Sequence, residues 1–445
     1  MSDKLVIFDE TQHKVLKIRI YPNTDQTILI NKTFGSCRKL YNEHLQERNE
    51  FYIDNILPIP KEERKAKSKE IYKNFKPKSE KEWKVVYPYL AEVSSAALQQ
   101  ARMDCDQAFV NFFKSNNGSR KGKSGFPKFK SKRDNHQSYR EVMVRDSYLN
   151  FEERKLKIPK VGIVQFKDRA FPTWWERKTK LCSMTIEKNC SNQYFVAILF
   201  EVQKAVHKID NRKDSLGLDF SPSEMYINSD GLSGKDFGYV AQKQAHHKQL
   251  RKLSRRLAKK QKGSMNRNKA RIKLARLEEH IANSRKDWIE KESLRLVRSY
   301  DKVVVEDLNL KGISKFLRNA KNMNDTSWAT FVSRLQAKGQ DYNCKVIKAD
   351  RYFPSSKLCS KCGWKYENLT LDVRKWTCPS CGTNHIRDVN AAINLKNYVP
   401  LEERELTPVE SDKISSLALL AMQAGTLDEA GNHSQATGGR NVLGL

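Results

Sequence analysis

The chain has 445 residues, with 83 Lys and Arg against 52 Asp and Glu and a net charge of +31. That balance points to a polyanionic partner, with nucleic acid ahead of an anionic membrane. The length allows two or three domains. No apolar run approaches the roughly 18 residues of a spanning helix, and Met1-Ser2-Asp3-Lys4 does not read as a signal peptide, so a reducing, cytoplasmic (nucleoid-associated) setting without disulfides is expected.

Residues 13–21 alternate basic and apolar side chains, the pattern of a half-buried strand with a positive outer face. Pro22 and Asn23 end it, and Thr24 and Asp25 offer an N-cap to a helix over 26–48, where Leu29, Phe34, Leu40 and Leu45 recur at helical spacing. Residues 53–82 are rich in Lys, Glu and Pro and read as a solvated loop or short helix. Residues 95–113 predict an amphipathic helix with Leu98, Ala101, Cys105, Ala108, Phe109 and Phe112 on one face.

A basic loop follows at 119–133, interleaving Phe126 and Phe129 with Lys121, Lys123, Lys128, Lys130 and Lys132. Cations alternating with aromatics are the composition of a nucleic-acid contact; an ordinary flexible surface loop is the other reading. Strand-like runs return at 155–158, 163–167, 182–187 and 194–201. Together with the first strand they predict a small β-barrel interrupted by a helical insertion. A polar stretch at 205–215 reads as a linker and is taken as the main domain boundary.

Strands are predicted at 215–220 and 225–228. From Phe237 to Leu277 there is no acidic residue, and Arg251, Arg255, Arg256 and Lys260 crowd one helix. Gly263 and Ser264 break it before a second helix over 268–300, with Arg267 just ahead of it and Arg271 in its first turn. A charge run is ordinarily a solvated face. One sign sustained over this length repels itself unless an anion lies along it, which favours a duplex-binding helical pair. Further strands are predicted at 302–306 and 345–349 and a helix at 387–398, and beyond Pro400 the tail reads as partly helical near 414–423 and then disordered.

Two features carry chemistry. Cys359-Ser-Lys-Cys362 and Cys378-Pro-Ser-Cys381 have the spacing of two knuckles around one tetrahedral zinc. The other five of the nine cysteines are scattered and read as small core or surface residues. Asp219 and Glu306 each close a strand-like run, and Asp388 opens a helix just beyond the second knuckle. Singly they read equally well as a turn residue, a helix cap and an N-cap. Gathered at the carboxyl edge of one sheet, three carboxylates could hold two Mg²⁺ ions.

As a set, these segments resemble the TnpB family, RNA-guided nucleases encoded by insertion sequences and related to compact type V CRISPR effectors. Gly217-Leu-Asp219 matches the first RuvC-like motif, Val305-Glu306-Asp-Leu the second, and Arg387-Asp388-Val-Asn390-Ala-Ala-Ile-Asn394 the third. Phe353-Pro-Ser-Ser-Lys-Leu-Cys359 leads into the zinc ribbon, and Ile18-Arg-Ile-Tyr-Pro-Asn23, Leu98-Gln-Gln-Ala101 and Gly125-Phe-Pro-Lys-Phe-Lys-Ser-Lys-Arg133 extend the match across 13–398. One departure is Ile386, where the family often has an acid.

The resemblance implies a multidomain α+β chain. An N-terminal β-barrel (1–30 and 116–210) would carry a helical insertion (31–115). A RuvC-like, RNase H-type α/β domain (211–355) would carry a basic helical insertion, a zinc ribbon (356–384) and a last motif (385–400), followed by a tail (401–445). It further implies catalysis by Asp219, Glu306 and Asp388 on two Mg²⁺ ions (or Mn²⁺), a structural zinc on Cys359, Cys362, Cys378 and Cys381, and a guide RNA and target double-stranded DNA as partners, with one chain acting as a monomer on one RNA. Expected nucleic-acid contacts are Arg19 and Tyr21, the loop Lys121–Lys132, and the stretch Arg251–Arg271. A compact CRISPR effector, a transposon–CRISPR intermediate, a nuclease-inactive guided repressor and a transposase are the other readings; the intact trio argues against the repressor.

Overall fold

The computed structural model describes residues 3–400 except positions 121, 143, 169–170, 309–326 and 371. Lys121 and the predicted tail therefore lie outside the described residues. The chain divides into two units, one of Met1–Arg212, Gly238–Ser299 and Ala329–Cys344, the other of Lys213–Phe237, Tyr300–Trp328 and Lys345 onward.

The first unit opens with β1 (Asp3–Tyr21) and α1 (Thr24–Asn55). Asn23, rather than Thr24 or Asp25, is the N-cap: its side chain accepts from the Gln26 N–H while the Gln26 side chain accepts from the Asn23 N–H, a reciprocal capping box. The Lys- and Glu-rich stretch forms α2 (Lys61–Ile71) and α3 (Glu80–Val86), and α4 spans Ser95–Asn116. Six more strands follow: β2 (Gln137–Glu141), β3 (Leu149–Asn150), β4 (Lys155–Ile158), β5 (Gly162–Phe166), β6 (Lys178–Lys188) and β7 (Tyr194–Ile209).

These seven strands make one sheet in the order β2-β6-β7-β1-β5-β4-β3. It is an open sheet: among the described residues no pairing joins β2 to β3, so the expected closed barrel is not seen. The reason lies in the core. The apolar face, with Ile18, Ile20, Phe166, Ile186, Val196 and Ile198, packs against Ile30, Phe34, Cys37 and Leu40 of α1 and Ala97, Leu98 and Ala101 of α4. The insertion supplies the partner surface that a barrel would draw from itself. Each fully buried aliphatic side chain contributes about 1.5–3 kcal/mol. A second cluster joins Tyr41 and Leu45 to Cys105 and Phe109.

The expected linker at 205–215 is also corrected. Residues 205–209 continue β7 and pair with residues 3–7 of β1 (Asp3↔Ile209, Ile7↔Ala205), with a register shift before Thr11. That partner lies some two hundred residues away along the chain, where local patterning cannot reveal it. The unit also contains α5 (Gln242–Ala245), α6 (His247–Ala258), α7 (Met265–Ser299) and α8 (Trp328–Tyr342). Arg212 donates to the carbonyls of Val297, Tyr342 and Asn343, closing the C-terminal ends of α7 and α8 with one guanidinium.

The second unit holds β8 (Lys213–Ser221), β9 (Met225–Asn228), β10 (Tyr300–Glu306) and β11 (Lys345–Ala349), ordered β11-β10-β8-β9. β8, β10 and β11 run parallel and β9 is antiparallel to β8. Val303, Val304 and Val305 are all fully buried, as expected of a strand covered on both faces. A hairpin of β12 (Lys375–Thr377) and β13 (Asn384–Ile386) leads into α9 (Arg387–Lys396). α9 lies directly on β8. A Cβ placed on Gly217 would fall 1.9 Å from the Ala392 carbonyl oxygen and 2.5 Å from the Lys396 nitrogen, so helix and strand meet backbone to backbone. Overpacking a core costs about 1–3 kcal/mol, and here the obstructing atoms are backbone. G217A is therefore expected to lower the melting temperature by several degrees or abolish soluble expression, while G125A, with open space around it, leaves it unchanged. Equal melting of the two variants would contradict this packing.

Candidate active site and nucleic-acid interface

The register of the parallel sheet places the acids. Val305 of β10 pairs with Leu218 of β8, so the next residues, Glu306 and Asp219, stand side by side at the carboxyl edge. Asp388 enters from the first turn of α9, whose N-cap Ile386 offers no side-chain acceptor; a carboxylate there is favoured by the free N–H groups. All three line one cleft of about 390 Å³, with Ser221, Ser356, Arg374 and Arg387. Burial pushes Asp219 well above the ordinary carboxylate range, and the charges of Glu306 and Asp388 push the same way, partly opposed by Arg387. Burial also raises Glu306, against the Ser355 hydroxyl, which donates to its Oε1 at 2.8 Å. Arg374 Nη1 lies 3.6 Å from Asp388 Oδ1. Hard oxygen donors crowded against their own repulsion suit a divalent cation such as Mg²⁺ or Mn²⁺, which would relieve that repulsion.

The four motif cysteines also converge, each offering a sulfur within 4.8 Å of the others. Cys359 and Cys381 Sγ are 3.6 Å apart, as are Cys362 and Cys378; tetrahedral zinc with bonds of ~2.3 Å needs sulfurs about 3.8 Å apart. The two knuckles share one construction. Gly363 N–H donates to the Cys359 carbonyl and Gly382 N–H to that of Cys378, both at 2.8 Å, and both glycines sit at positive φ (77° and 69°), a turn geometry that disfavours a side chain. Hydrogen bonds from Thr383 draw the Cys381 thiol down to about 6, whereas burial pushes Cys359 up to about 11. The donor set fits zinc. His385, buried against Trp376, has Nε2 3.0 Å from Cys359 Sγ.

Two asparagines join ribbon to cleft. The Asn390 and Asn394 amides of α9 both donate to the Leu358 carbonyl at 2.7 Å; Asn394 also donates to the Ser355 carbonyl, and Asn390 Oδ1 accepts from the Ser360 N–H at 2.9 Å. Their roles, and those of Ser355, His385 and Arg374, were missed in the sequence. The i, i+4 spacing of two Asn flanking Ala391 and Ala392 was the available signal, since polar residues on a buried helix face need partners.

The expected nucleic-acid residues divide by what already occupies them. Tyr21 carries Arg19 at 5.0 Å and Lys167 at 4.7 Å over its ring. In the basic loop, Phe126 packs edge-on to Phe109 and Phe112, so it anchors the loop despite its partial exposure. Asn42 of α1, also missed, pairs with both backbone groups of Lys130, whose ammonium lies 4.0 Å from the Tyr41 ring. Lys123, Lys128, Phe129 and Lys132 are exposed. Arg251, Arg255 and Arg256 surround one groove along α6 with Lys248, Lys252 and Lys259, and Lys260 is exposed just beyond the helix. Arg267 and Arg271 differ: Arg267 donates to the carbonyls of Leu257 and Lys260, and Arg271 to that of Cys190. Their guanidiniums serve the fold. Among the described residues no helix is long and apolar enough to cross a membrane.

The fold is that of a multidomain α/β protein similar to Cas12f: a solved Cas12f1 chain, from a complex with sgRNA and target DNA, matches with a TM-score of 0.50 and 13% identity over 87% of this chain and 99% of its own. Three family models match: "Cas12f1-like, TNB domain" over 328–395, "Probable transposase" over 197–317, and "Helix-turn-helix domain" over 12–55. The last segment is β1 followed by a single helix here. A Streptomyces pristinaespiralis protein named "Putative RNA-guided DNA endonuclease" is 30% identical over 86% of this chain and 88% of its own length. Escherichia coli (strain K12) has "Putative RNA-guided DNA endonuclease InsQ", 25% identical over 86% and 91%. The chain belongs to the TnpB family.

Two predictions follow from this geometry. Metal analysis should find one zinc per chain, and C378S should lose it together with much of the roughly 10–16 kcal/mol that such a site contributes to local folding; unchanged melting of zinc-free protein would refute the ribbon. The second concerns pH in magnesium-free buffer. A raised folded-state carboxylate binds its proton more tightly than the unfolded chain does, so its stability is fully present below the ordinary carboxylate range and is lost as pH rises through the raised value. As pH rises above the ordinary carboxylate range the wild-type melting temperature should fall relative to D219N, and added Mg²⁺ should cancel the difference. Parallel melting curves would contradict the repulsion.

Proposed function

We propose that the protein is an RNA-guided DNA endonuclease of the TnpB type. The observation that carries this reading is the convergence of Asp219, Glu306 and Asp388, from three distant segments, in one polar cleft. Family membership supports it, as does the +31 charge, which suits a long RNA and DNA substrate. In this reading a guide RNA pairs with one strand of target DNA and supplies most of the specificity, while the protein reads a short adjacent motif through its N-terminal unit. The division into barrel-like, helical, RuvC-like and ribbon segments is kept as the working domain map, with one chain acting on one RNA.

The site would be metal-dependent. Two Mg²⁺ ions (or Mn²⁺) held by Asp219, Glu306 and Asp388 would supply an activated water and a stabilised leaving 3′-oxygen. The chain's own residues do the remaining work. Ser355 fixes the rotamer of Glu306 through its hydroxyl. Arg374 and Arg387 bring positive charge to the cleft rim, where a scissile phosphate would lie. The four cysteines would hold a structural zinc, because four thiolates leave no open position for water.

A compact type V CRISPR effector, or an intermediate between the two types, would use the same site with a guide of different origin. Sequencing of RNA that co-purifies with the protein separates them: transposon-end sequence supports TnpB proper, and repeat-derived sequence the CRISPR type. D219A and E306A are expected to abolish cleavage of matched DNA while guide and target binding persist. Retained cutting by both variants would overturn the assignment, and joined products would favour a transposase.

A further inference from the structure

We propose that Tyr352 is a stacking platform for an unpaired base of the DNA strand entering the carboxylate cleft. This rests on the nuclease reading above and adds a substrate-positioning residue to it. Tyr352 is 87% exposed, the highest value among the described large apolar side chains. A single exposed aromatic is ordinary on a protein surface, so the argument depends on where this one is held.

The loop carrying it leaves β11 at Ala349, the residue paired with Glu306. It returns at Ser355, whose hydroxyl holds Glu306, and Ser356, which lines the cleft. Three residues span at most about 11 Å, so Tyr352 lies within that backbone distance of both Ala349 and Ser355. The ring is thus carried within a few residues of the groups that hold Glu306 and line the cleft.

The backbone beneath the ring is pinned. Tyr352 N–H donates to Asp350 Oδ1 at 2.8 Å, Phe353 N–H to the Asp350 carbonyl at 3.1 Å, and Asp350 N–H to the Tyr398 hydroxyl at 3.1 Å. Arg351 is tied to Asp307 at 2.8 Å. Neighbouring Phe353 turns inward, its ring 5.0 Å from that of Tyr398. Tyr352 has no aromatic or cation–π partner among the described residues. A hydrogen-bonded loop thus presents a bare ring three residues before Ser355 and four before the cleft residue Ser356, where the nuclease reading brings in a DNA strand. Base–aromatic stacking accepts any base and demands little ordering of a two-torsion side chain.

The test uses the full chain with its guide RNA and target DNA carrying 2-aminopurine at successive positions near the cut. For Y352A, kcat/KM should fall on the order of tenfold, the loss expected for one stacked base, mainly through KM. Quenching of 2-aminopurine should disappear at one or two positions while melting temperature and zinc content stay at wild-type values. Y352F should rescue both readouts. Unchanged kinetics and fluorescence in Y352A would overturn the proposal, and so would Y352F failing as Y352A does, which would assign the hydroxyl rather than the ring. Wild-type complex that quenches but never cuts, with quenching lost in Y352A, would sink the nuclease reading and leave the stacking platform standing.

Discussion

Carboxylates repel, and the second unit is arranged to keep three of them in one cleft. Burial raises both Asp219 and Glu306, and the charges of Glu306 and Asp388 raise Asp219 further, so holding all three ionised together is unfavourable in itself. The sheet supplies the restraint. Parallel pairing of β8 with β10 sets Asp219 beside Glu306, and the absence of a side chain at Gly217 lets α9 come close enough to deliver Asp388. Ser355 and the nearby arginines soften the repulsion without removing it. Buried carboxylates whose charge is perturbed together in one cleft are a common signature of a functional site.

The first unit meets a different requirement, which is to offer positive charge without losing its own fold. It separates the two tasks by residue. Arg212, Arg267 and Arg271 use their guanidiniums on backbone carbonyls, so they act as internal ties. The cations around the α6 groove and the exposed lysines of the 123–132 loop are left facing outward. The loop itself is seated by Phe126 and by the Asn42 amide, so its charges are presented from an ordered base and less entropy is lost on binding.

Much of the fold could be read from the sequence where the signal was local. The strands at 155–158, 225–228 and 345–349 match to the residue because each is a short apolar or alternating run between turn signals. The knuckle cysteines and the placement of Asp219, Glu306 and Asp388 near element ends were equally visible. The misses involve partners far apart in the chain. Residues 205–209 look like a linker until residues 3–7 are set beside them, and the sheet looks like a barrel until α1 and α4 are seen on its apolar face. Phe126 and Phe129 are indistinguishable in composition and about equally exposed; only packing shows that Phe126 meets Phe109 and Phe112. The asparagines of α9 were noted as motif letters, but their work depends on carbonyls some thirty residues upstream.

Those asparagines have a consequence for how the ribbon can vary. Every group they grip is main-chain: the carbonyls of Leu358 and Ser355 and the amide N–H of Ser360. Main-chain groups are the same whatever side chain a residue carries. The ribbon can therefore exchange its surface residues, and with them whatever it touches, while its seat beside Asp388 keeps the same geometry. The helix that carries the third acid thus acts as a socket for an interchangeable module, and the knuckle path, with its four sulfurs and two glycines, is what such exchanges must preserve.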